Sequence, residues 1–160
     1  MIKHIAASLL LLCIGVANAQ PNNDEAEFVG QWRVFSSPQD VTSVLRSEGN
    51  DADMDLFCDA SHFEISVYLK KQQQEGYLKT LTLHADDKVL DVNLWQSNHR
   101  TRSTTVKTLD KQSINTLLNS KRLIVNYELE NTAPKEVIFD LSDIKQIYEK
   151  ANVVCKIDKV

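Results

Sequence analysis

Hydrophobic and polar residues alternate along much of this chain, a period of two that turns one side of a segment toward a core and the other toward water. Phe63, Ile65, Val67 and Leu69 fall on one face, and His62, Glu64, Ser66, Tyr68 and Lys70 on the other, which predicts a half-buried strand. Leu90, Val92 and Leu94 repeat the pattern, as do Leu123, Val125, Tyr127 and Leu129. Segments 77–84, 101–107 and 135–140 are rich in Thr, Val, Leu and Ile and read as further strands, and regular structure is expected to begin in 28–35. The links 47–51, 74–76 and 85–88 carry turn residues and are short, so consecutive strands should be antiparallel neighbours. The predicted fold is mainly β: an antiparallel β-sandwich or barrel.

Two segments shift to helical spacing. Asp110 can cap a helix in which Ile114, Leu117 and Leu118 fall at i, i+3 and i+4. Ser142 can cap a second, with Ile144, Ile147, Tyr148 and Ala151 as its apolar stripe. Asp143 in its first turn and Lys150 near its end would complement the helix dipole.

The start of the chain follows neither period. Lys3 and His4 precede an apolar run, Ile5 to Val16, and Ala17-Asn18-Ala19 has the small residues of a cleavage site. A membrane-spanning helix needs ~20 apolar residues, and this run is shorter, so 1–19 read as a secretory signal cleaved after Ala19. Cys13 follows Leu12 rather than a small residue, which disfavours a lipid-attachment site. Residues 20–27 read as a flexible N-terminal segment and 28–160 as a single β-rich domain, periplasmic after export. No stable membrane insertion is expected.

Export changes what the charges and cysteines mean. The leader holds Lys3 and no acid, so the mature chain is one unit more negative than the full chain's −4. An acidic balance argues against generic nucleic-acid binding, which calls for a concentrated basic surface. A 42% hydrophobic content can fill a core. Cys58 and Cys155 are the cysteines left after cleavage, and in an oxidising compartment an even pair is most simply a disulfide. Closing ~100 residues of loop contributes up to ~4.7 kcal/mol in the chain-entropy account. A metal pair or catalytic thiol is the competing reading, and it lacks a neighbouring His, Asp and Glu cluster in sequence.

Candidate chemistry is sparse. Asp51, Asp53 and Asp55 have the D-x-D-x-D opening of a calcium loop, but Leu56 stands where the glycine is needed and His62 where the bidentate acid is needed. A solvated turn is the expected role. His62, His84 and His99 show no metal-ligand spacing, there is no G-x-S-x-G elbow, and no glycine-rich phosphate loop is present. No catalytic residue, metal or cofactor is implied. Arg100 and Arg102 would project together from a strand as a patch for an anionic partner, or as charge protection of an edge strand. Trp95, on the opposite strand face from Leu90, Val92 and Leu94, is a candidate interface aromatic beside them.

Several segments resemble, in order, the periplasmic accessory proteins of type VI secretion systems, the TagO or VasI family. That family has a tryptophan strand leading to S-P-L-D-D-S, a cysteine strand, a W-x-x-S stretch and F-D-L-S-G-L before a final cysteine. Here Trp32 precedes Ser37-Pro38-Gln39-Asp40-Val41-Thr42, Cys58 is expected to open a strand, Trp95-Gln96-Ser97 stands in the middle, and Phe139-Asp140-Leu141-Ser142-Asp143-Ile144 leads to Cys155. The chain departs from the pattern at Val41 and Asp143, and its tryptophan-to-serine spacing is one residue shorter. The resemblance implies a non-enzymatic protein that binds a protein partner in the cell envelope. A periplasmic inhibitor or immunity-type protein against a cell-wall hydrolase is the alternative, because an acidic surface suits a basic target. A hydrolase would need converging His and carboxylate side chains. The oligomeric state is not encoded in any motif.

Overall fold

A computed structural model describes residues 26–59, 63–71, 76–90, 95–98, 103–106 and 109–156. The expected signal segment 1–19, with Cys13, and also His62, Val92, Leu94, His99, Arg100 and Arg102 lie outside these residues, and of Trp95 the backbone alone is described.

The alternating segments form two antiparallel sheets that face one another and do not close into a barrel. The first five strands are a meander: β1 (Glu27–Val29), β2 (Trp32–Ser36), β3 (Val41–Arg46), β4 (Ala52–Cys58) and β5 (Phe63–Leu69). The chain then builds the hairpin β6 (Leu78–Ala85) and β7 (Lys88–Leu90) in the second sheet. It returns to the first with β8 (Trp95–Asn98) and β9 (Ser103–Val106). Helix α1 (Lys111–Leu118) leads back to the second sheet, β10 (Arg122–Leu129) and β11 (Lys135–Asp140), before α2 (Ile144–Cys155). The larger sheet has the order β1-β2-β3-β4-β5-β9-β8 and the smaller one β11-β10-β6-β7.

Turn chemistry sets these registers. Gly30 adopts φ +56°, which lets Gly30-Gln31 reverse the chain, so the regular structure that begins here is a hairpin of β1 and β2. Glu27 is the first residue of β1. The Ser37 hydroxyl accepts from the backbone N–H of Gln39 and of Asp40, each at 3.1 Å, so Ser37-Pro38-Gln39-Asp40 is the β2–β3 turn. The β3–β4 turn is held by Ser47, whose hydroxyl accepts from Ala52 N–H at 3.0 Å, and the Glu48 N–H donates to the Ile138 carbonyl at 2.9 Å. That last bond ties the tip of one sheet to the edge strand of the other. Asp86 takes a positive φ of 50° in the β6–β7 turn, and its carboxylate accepts from the Lys121 and Arg122 amides.

The inward residues of both sheets merge into one core, with Trp32, Leu45, Met54, Ile65, Leu83, Leu123 and Phe139 almost wholly removed from water. Burying such side chains stabilises the fold by roughly 1.5–3 kcal/mol each before entropy is counted. Asp110 caps α1 by accepting from Ser113 N–H at 2.7 Å, and Ile114 and Leu117 enter the core. These hydrogen bonds hold the Asp110 carboxyl below its usual range. Helix α2 buries Ile144, Ile147, Ala151 and Cys155 and packs against β3 and α1.

Four sequence expectations change in detail. Ser142 does not cap α2: Asp143 occupies that position without a capping bond from its side chain, while Ser142 donates its amide and hydroxyl to Asp140. Lys150 lies in the body of α2 and pairs with Glu27 at 2.8 Å instead of serving the helix end. Cys58 is the last residue of β4 and does not open a strand. Leu90 and Trp95 do not share a strand, since the chain changes sheets between them.

Candidate functional site

Cys58 and Cys155 form the disulfide that the sequence predicts, with Cα atoms 6.1 Å apart. Beside it Phe63, at the start of β5, meets Tyr148 of α2 edge-on with ring centroids 5.9 Å apart. This end of the molecule is a staple: it presses α2 onto the inner side of the larger sheet. That leaves the other side of the sheet uncovered by any helix or strand among the described residues.

The uncovered face is built by the pleat. Residues in register across neighbouring strands share a face and stand close together. Phe28, Arg33, Val44, Asp55 and Ser66 form one row across β1 to β5. Phe35, Thr42, Phe57 and Glu64 form a second, and Arg46, Asp53 and Tyr68 a third. Four aromatic rings therefore project from the side of one sheet opposite the core: Phe28 is 68% exposed, and Phe35, Phe57 and Tyr68 are half-buried. The Arg33 guanidinium lies 5.4 Å from the Phe35 ring centre.

The charges on this face are distributed unevenly. Asp53 is paired twice, with Arg46 at 3.3 Å and Lys70 at 3.6 Å, and Lys70 also donates to Asn50. Asp55, two residues along β4, has no cation partner among the described residues; the Tyr68 hydroxyl donates to its carboxylate. Burial on the sheet pushes the Asp55 carboxyl up to about 6; the Tyr68 hydrogen bond opposes that rise and the Asp53 charge adds to it. The Tyr68 phenol is raised too, chiefly by burial and then by the Asp55 charge.

The D-x-D-x-D stretch is thus not a solvated turn. Asp51 alone belongs to the turn, and Asp53 and Asp55 are the outward positions of β4, whose Ala52, Met54, Leu56 and Cys58 face the core. Asp55 and Tyr68 were not among the expected site residues. Their signal was the acid–apolar alternation of 52–58 beside the Tyr68 position on β5.

Trp95 begins β8, in register with Val106 of β9, which is in register with Ile65 of β5. His84 is half-buried on the outer side of the smaller sheet, between Val89 and Ile124. Among the described residues no three His, Cys, Asp or Glu side chains are grouped to hold a metal ion, and no helix is long and apolar enough to cross a membrane. A groove of about 230 Å³ runs between α1 and α2, lined by Asn115, Leu118, Asn119, Lys145, Tyr148 and Glu149; Asp55 is no part of it. The outer face of the larger sheet thus brings together aromatic rings, Arg33 and Arg46, and the acids Asp53, Asp55 and Glu64. No protein-family model, curated protein or solved structure matches the chain.

Proposed function

We propose that this chain is an exported, non-enzymatic binding domain of the cell envelope, periplasmic once its leader is removed. Its partner is a protein, docked on the uncovered face of the seven-stranded sheet. The observation that carries the reading is the set of Phe28, Phe35, Phe57 and Tyr68 on the side of the sheet opposite the core. Large aromatic side chains on a solvent face gain by being covered, and they are enriched where proteins meet. The leader-like start and the disulfide support an oxidising compartment. The resemblance to the type VI accessory family supports service to an envelope secretion machine.

A photo-reactive amino acid at Phe57 tests the docking. One dominant covalent adduct in the periplasm, absent when the probe sits at Thr82 on the outer side of the smaller sheet, is the expected result. Equal labelling from both faces, or none, would remove the reading. Deleting the gene should stop effector secretion if the partner belongs to a secretion machine. Inhibitory activity against a wall hydrolase, with secretion intact, would favour the inhibitor role, which the unpaired Asp55 also suits.

A further inference from the structure

Whatever covers the aromatic face must also cover Asp55, and a buried carboxylate without a countercharge is costly. Among the described residues no cation is paired with Asp55. Directly across on β3 stands Val44 and directly across on β5 stands Ser66; the diagonal neighbours are Thr42, Arg46, Glu64 and Tyr68. On its own strand Asp55 has Asp53 and Phe57. Arg46 is committed to Asp53, and Arg33, one strand beyond Val44, lies over Phe35. Glu64 adds a second acid with no ion pair among the described residues. A cation carried by the partner would satisfy this acid.

Resting on the protein-docking reading above, we propose that this face receives its partner through an exposed lysine or arginine side chain seated on Asp55 between Phe57 and Tyr68. The chemistry is complementary on three counts. The carboxylate supplies charge, the flanking rings offer faces and edges to a cation's apolar stem, and the chain as a whole is acidic, with a formal charge of −4. The preferred partner is therefore a protein with a basic surface. Binding selects the ionised form of Asp55, so the seat weakens as acid protonates it. A carboxyl titrating at about 6 is almost fully ionised at pH 7.5 and about one-tenth ionised at pH 5, which sets the expected loss at about tenfold.

The probe is hexalysine amide, titrated into the isotope-labelled, disulfide-closed protein and followed by backbone amide shifts, with hexaglutamate as the control. Saturable shifts centred on Val44, Asp55 and Ser66, about tenfold weaker at pH 5 than at pH 7.5 and lost in Asp55→Asn, are expected. Shifts spread evenly over the surface, affinity indifferent to Asp55→Asn, or tighter binding in acid would overturn the proposal. Retained amide dispersion in Asp55→Asn separates loss of the seat from loss of the fold. The Phe57 photo-crosslink is then repeated in Asp55→Asn: an undiminished adduct ends the cation seat while leaving protein docking intact, whereas absence of the adduct even with Asp55 present ends both. An adduct that is present with Asp55 and abolished by the substitution supports both.

Discussion

Gly30, in the β1–β2 turn, and Asp143, at the start of α2, occupy adjoining space: a Cβ placed on Gly30 would lie 1.8 Å from the Asp143 carboxylate oxygen Oδ2. The turn between β1 and β2 is therefore also the point where the last helix is set down on the first strands. Asp143 makes no capping bond to the helix backbone, and its carboxylate accepts a long, exposed bond from the Gln146 side chain at 3.5 Å that can yield when it turns aside. The lasting cost of Gly30→Ala is then the left-handed backbone, roughly 1–2 kcal/mol for a residue with a Cβ. Urea denaturation should show that loss, and adding Asp143→Ala should recover less than half of it. Full recovery would mean that the side-chain clash, not the backbone, sets the cost.

The disulfide acts on the same helix from its other end. Cys58 and Cys155 are 97 residues apart in sequence, and removing so long a cross-link costs about 2–5 kcal/mol. Replacing both with Ser should lower the melting temperature accordingly. Hydrogen exchange should localise the effect: residues 151–155 lose protection first, while β4 and β5, paired along seven positions, keep theirs. Uniform loss of protection would instead mean that α2 and the sheet unfold as one unit.

The outline of this fold was legible because burial imposes a period on sequence. Where one face of a strand meets the core, as in 63–69 and 123–129, the alternation cannot be missed. Segment 52–58 has the same alternation, yet Asp53 and Asp55 look like loop acids. Their strand role emerges when β3 and β5 flank them and Arg46 and Lys70 meet Asp53. The site was illegible for the same reason. Asp55 and Tyr68 are 13 positions apart, and their hydrogen bond exists through the β4–β5 register alone. The cap of α2 was misplaced because Ser142 has the right chemistry for a cap but is drawn away by Asp140.

Core chemistry offers a stabilising change. Ser43 points into the core from β3 between Val34 and Leu56, and its hydroxyl, 1% exposed as a residue, has no hydrogen-bond partner among the described residues. A buried unpaired hydroxyl costs on the order of 1 kcal/mol, and replacing it by a methyl group removes that cost without enlarging the side chain. Ser43→Ala should raise stability by about 0.5–1 kcal/mol in a thermal melt. A loss of stability would reveal an ordered water bridging this hydroxyl and the equally unpaired Trp32 Nε1.

Asp55 links the binding face to stability, with a definite sign. Its carboxyl goes from the model-peptide value of 3.8 when unfolded to about 6 when folded, so between these values the folded state holds more protons. The stability it confers is fully present below pH 3.8 and is lost as pH rises through about 6. The shift is discounted for a side chain still in partial contact with water, which leaves a loss on the order of 1–2 kcal/mol. Asn keeps an acceptor for the Tyr68 hydroxyl and has no charge to desolvate. Asp55→Asn should therefore be more stable than the parent at pH 7.5, and the two should converge toward pH 4. A series of urea melts across that range reads the difference directly, and a gap that widened on acidification would show that the carboxylate is stabilised, not strained, on this face. The parent instead retains a group that weakens the isolated domain at neutral pH, which is the cost expected of a charge held ready for a partner.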